Sequence, residues 1–154
     1  MMAPLVLACG LATLVAATAS GQGTPGGRLE GTWEMQIARN DCAGHPQGPP
    51  FPSVAIFMAG GTMIESQAGT PQALKTPGEG VWQHVAGNTY AFRFKFFTFN
   101  ASNVFTGWVF IAGQTTVDST GNANTGSATV KVYNTSGFLL ATACADISGT
   151  RFGL

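Results

Sequence analysis

A chain of 154 residues makes one domain with at most a removable segment, and 45% apolar residues supply a core, which excludes global disorder. Charged residues are only 9%, and seven basic side chains balance seven acidic ones. Without a basic cluster there is no electrostatic footprint for nucleic acid, so none is expected as a partner.

In chain order, residues 1–19 ("MMAPLVLACGLATLVAATA") are apolar, contain no acid, and end in the small-x-small pattern Ala17-Thr18-Ala19. That is the signature of a cleaved signal peptide. Gly10 and two threonines break the apolar run, so no membrane span is expected in the mature chain. The expected location is secreted or periplasmic. Residues 20–29, built on "SGQGTPGG", read as a flexible tether, and 30–154 as a single β-barrel domain. Removing the leader takes Cys9 with it and leaves Cys42 and Cys144. An even count in an exported chain predicts a disulfide, here one that ties the first strand region to the last.

From Gly31 onward, short β-rich runs are separated by Gly, Pro, Asn and Ser, the pattern of an all-β protein. Strands are predicted over 32–39, 53–58, 62–67 and 80–85, then over 89–99, 104–117, 127–133 and 138–147. Gly60-Gly61 joins the second and third, because glycine permits the positive φ of a tight hairpin. Residues 118–126 read as a polar loop. No window carries a sustained helical repeat. Eight sequential strands on short turns predict an antiparallel up-and-down barrel, with an open sandwich as the alternative. Closure removes two bare edges, and a Cys42–Cys144 link brings the first and last strands together as closure requires.

The segment Gly31-Thr32-Trp33, opening the first strand, resembles the signature of the calycin superfamily of lipocalins, avidins and fatty-acid-binding proteins. The resemblance implies that Trp33 plugs one end of a barrel and that Arg151, near the end of the chain, lies across its indole as a lid. A guanidinium stacked on Trp contributes about 1–2 kcal/mol when partly desolvated. The resemblance covers the two ends and the strand count, and the Thr-Asp-Tyr motif of lipocalins is absent from the sequence. It implies a secreted bacterial barrel and transfers no particular ligand.

No motif for nucleophilic catalysis, phosphate binding or metal ligation is found; His45 and His84 are not at ligand spacing, and no cofactor or metal is expected. The candidates for binding come from alternation. In "TYAFRFKFFTF", Tyr90, Phe92, Phe94 and Phe96 share one face and Arg93 and Lys95 the other. The aromatics are read as inward and the cations as solvated; the inverse places a cation toward an acidic ligand. In "VFTGWVFIAGQ" both faces are apolar. Trp108 and Phe110 line a cavity, or they form an outer patch for a homo-oligomer through this strand. Trp82 and His84 share a face of the fourth strand, and Glu65 lies on the third. Were those strands to pair Glu65 with His84, the two would make an acid–base dyad. The reading favoured is a barrel holding a small apolar ligand. The alternatives are a cofactor-free isomerase or cyclase using the same cavity, and a module that interacts through its loops.

Overall fold

The computed structural model describes residues 29–153; the leader, Cys9 and nearly all of the tether lie outside them. The chain forms eight strands: β1 (Gly31–Asn40), β2 (Phe51–Met58), β3 (Thr62–Gln67), β4 (Gly78–Ala86), β5 (Thr89–Phe99), β6 (Phe105–Val117), β7 (Ala123–Asn134) and β8 (Leu139–Arg151). A single 3-10 turn at Gln72–Leu74 interrupts the β3–β4 connection. Each strand pairs antiparallel with the next, and β8 pairs with β1, so the sheet closes into an up-and-down barrel.

Five strands (β1, β2, β4, β7 and β8) reach further than expected, β7 and β8 by the most. β7 takes in Asn124 to Gly126, residues read from the sequence as loop, and β8 runs on to Arg151. The reason is local. Asn124 is buried rather than solvated, and its Oδ1 accepts a hydrogen bond from Thr115 Oγ1 at 3.0 Å. A polar residue with a buried partner can sit in a strand where composition alone argues for a turn. Gly60 and Gly61 do form the β2–β3 hairpin, both with positive φ (91° and 88°).

Alternation decides what fills the barrel. Trp33 and Met35 face inward from β1, Ala55 and Phe57 from β2, and Met63 and Glu65 from β3; all are buried. Phe92 and Phe96 of β5 meet Gly113 and Val109 of β6 across the ladder. Arg93 and Lys95 point outward, Lys95 with its ammonium 5.3 Å from the Phe97 ring centroid.

The two ends of the barrel differ. At one, Trp33 is wholly buried and donates from Nε1 to the Leu29 carbonyl at 2.8 Å. Arg151 Cζ stands 4.3 Å from the centre of its ring. The guanidinium is held there by two carbonyls, Nε donating to Gly121 O (2.8 Å) and Nη1 to Glu30 O (2.7 Å). Gly31 has φ +118°, and a Cβ there would stand 2.7 Å from Arg151 Nη1. Only glycine lets the first strand start beneath that lid.

At the other end the long β1–β2 and β3–β4 connections surround the mouth. The sulfurs of Cys42 and Cys144 stand at disulfide distance, with Cα atoms 4.9 Å apart. The pair fastens the start of the β1–β2 loop to the outer wall of β8. No helix among the described residues is long and apolar enough to cross a membrane.

Candidate functional site

Between the tryptophan end and the mouth lies an internal space of about 240 Å³, open toward the mouth. Small side chains make it. Ala55, Ala128 and Ala145 point inward where larger residues would meet across the axis. Phe92, Phe94 and Phe96 of β5 and Met63, Ile111 and Ile147 supply apolar wall. Arg39 and Phe51 stand at the mouth, with the guanidinium carbon 5.4 Å from the Phe51 ring centroid. A larger concavity of about 930 Å³ runs over the outer wall. Ala91, Ala112 and Ser127 lie along it, on the outer face.

A buried carboxyl faces this apolar space. Glu65 is 6% exposed. Its Oε1 accepts a hydrogen bond from Ser53 Oγ at 2.7 Å, while Oε2 is buried without a hydrogen-bond partner. Burial pushes its pKa above the usual 4.5, and the Ser53 hydrogen bond and the charge of Lys75 offset only part of that rise. Lys75 comes from the β3–β4 connection and is itself buried. Its Nζ lies 4.8 Å from the Phe96 ring centroid and donates to the Thr76 carbonyl at 3.1 Å. Burial lowers its pKa, and the neighbouring Glu65 charge works against that. An acid pushed up and a base pushed down lean toward neutrality together.

Of the residues singled out from sequence, Phe92, Phe94, Phe96 and Glu65 line this space together. Tyr90 is buried but sits nearer the closed end, edge-on to Trp82 with centroids 5.7 Å apart. Trp82 is half-buried and donates from Nε1 to the Met58 carbonyl at 3.0 Å. His84 is exposed, and its Nε2 donates to the Gly87 carbonyl at 2.7 Å. No Glu65–His84 dyad forms. The β3–β4 register sets Glu65 opposite Gly78, whereas His84 lies further along β4 opposite Tyr90 of β5.

The β6 ambiguity resolves outward. Val109 and Ile111 are the buried face, and Trp108 and Phe110 lie on the outer wall opposite Tyr133 and Lys131. Trp108 stacks on Tyr133 with centroids 5.6 Å apart, beside the exposed Phe97 and Phe105. Ser53 and Lys75 were not anticipated. Alternation with Ala55 and Phe57 places Ser53 inside, a legible signal; Lys75 lies in a loop with no periodicity to read.

Among the described residues no group of three His, Cys, Asp or Glu is placed to hold a metal ion. Comparison with protein-family models, with curated proteins and with solved structures returns no match. The class that fold and interior define is therefore a closed eight-stranded antiparallel barrel with an aromatic-walled internal space.

Proposed function

We propose that this chain is an exported, calycin-like barrel that binds one small apolar molecule in its interior. The observation that carries this reading is the 240 Å³ space walled by Phe92, Phe94 and Phe96. A barrel of eight strands has room for core side chains or for one small ligand. Here the closed half takes the first course, and the alanines of the mouth half favour the second. The volume exceeds the ~150 Å³ that holds benzene in an engineered protein cavity. A removable leader and a disulfide-distance cysteine pair support export to an oxidising compartment.

Native mass spectrometry of the protein purified from its own host tests the reading. The expected result is a bound small molecule that leaves on denaturation and rebinds to wild type. It should not rebind to Ala128→Leu, in which added side chain fills the space. A protein that never carries or takes up an apolar molecule would refute it.

A further inference from the structure

We infer that Glu65 is the polar anchor of this cavity, donating a hydrogen bond from its carboxyl to the single acceptor oxygen of an otherwise apolar, uncharged ligand. The inference rests on the binding reading above and adds the ligand's chemical class. A buried carboxyl is a costly thing to place in an apolar space, and the fold gives it one partner instead of the several that a carboxylate needs. That partner, the Ser53 hydroxyl, donates to Oε1. The proton of the neutral carboxyl then belongs on Oε2, the oxygen that is buried and unpartnered. An O–H in that position is a donor in want of an acceptor.

The surroundings argue for a neutral ligand. A cationic one beside Glu65 would be repelled by Lys75, whose charge already acts on that carboxyl. An anionic one would have to shed its water in a space walled by Phe92, Phe94 and Phe96, with too few donors there to replace it. A ketone, ester or ether oxygen on a hydrocarbon frame suits both the donor and the phenylalanine walls. Space is kept for the carboxyl at Gly78, where a Cβ would stand 3.1 Å from Oε2 and 2.6 Å from Phe94 Cδ2. The terminal torsion of a glutamate is soft, so the O–H turns to a ligand without a shift of β3.

Two probes of one shape test this. Acetophenone and α-methylstyrene differ by a carbonyl oxygen in place of a methylene carbon. Titrated by calorimetry against the wild-type protein, acetophenone should bind about tenfold more tightly. In Glu65→Leu the two affinities should converge, through loss of acetophenone binding alone. In Glu65→Gln, whose amide still donates, a preference of several-fold should survive. Infrared difference spectra of the wild type should show a carboxyl band that shifts with acetophenone and not with α-methylstyrene, a readout that needs no folded variant. Equal affinity for both probes in the wild type, or a preference that persists in Glu65→Leu, would overturn the anchor and leave the binding reading standing. Binding of neither probe would overturn both.

Discussion

The two ends of this barrel are built to different specifications. The largest wholly buried side chains (Trp33, Leu29, Val117, Asn124 and Thr115) all gather toward the end closed by Arg151. There every polar group described has a partner: the indole N–H on Leu29 O, the guanidinium on two carbonyls, Thr115 on Asn124. The mouth half instead carries alanines, an internal space and a carboxyl oxygen left unpaired. A tightly satisfied floor supports a half that is neither filled nor fully satisfied. Local departures of that kind concentrate at sites of function, where the rest of the fold supplies the stability.

The sharpest way to break this contrast is to truncate an aromatic at each end. Trp33→Ala should cost about 3–5 kcal/mol in denaturant unfolding, because it opens a void beneath the lid. Phe94→Ala, at a half-buried wall of an existing space, should cost about 1–2 kcal/mol. Equal costs would mean that the ends do not differ in packing. Next in size is the cysteine pair. Its 102-residue separation closes a long loop, and Cys144→Ser should lower stability by about 2–4 kcal/mol in oxidised protein. Under non-reducing conditions the wild type should weigh two hydrogens less than the reduced chain. Two alkylatable thiols would remove both the staple and the export reading built on it.

The lid comes third. Arg151→Ala should cost about 1–3 kcal/mol through the lost stacking and the two lost carbonyl bonds. In a double-mutant cycle with Trp33→Ala the coupling should be clearly non-zero, and additive costs would dissolve the lid. The smallest effect is a pH dependence from the mouth half. The pKa of Glu65 is raised on folding, so the folded protein keeps a proton that the unfolded chain loses above about 4.5. That contribution is complete below the unfolded pKa and is lost as pH rises through the folded one. Compared with Glu65→Gln, the wild type should therefore lose ground as pH rises above 4.5. Parallel melting profiles for the two across that range would contradict the assignment of a buried, protonated carboxyl.

What could be read from sequence follows the range of the forces involved. The inward face of β5 is set by alternation within one strand, and the Gly60-Gly61 hairpin by the φ that two adjacent residues must adopt. Trp33 and Arg151 are far apart in the chain. They still meet where expected, because strand count and closure leave the ends of β1 and β8 as neighbours, paired at Trp33↔Arg151. The site was only half legible. Glu65 shares a face with Met63, which puts it inside, but its distance from His84 depends on where the β3–β4 connection sets the register. Nothing within either strand specifies that. The inner face of β6 was equally hidden, since Val109 and Ile111 compete with Trp108 and Phe110 on hydrophobicity. The smaller pair wins the interior, facing Phe96 and Phe94 across the ladder. The larger pair finds Tyr133 and Lys131 on the outer wall. Lys75 comes to the Phe96 ring from a loop, where no periodic signal exists.

The central claim is that the mouth half admits a ligand and the tryptophan end does not. Methyl-resolved NMR with benzene as the probe tests it most directly. Saturable shifts should appear at Met63, Ile111, Val130 and Ile147 around the space, with Leu29 and Val117 at the closed end unmoved, and Ala128→Leu should abolish the response. Shifts absent from the cavity methyls, or identical in Ala128→Leu, would contradict the account.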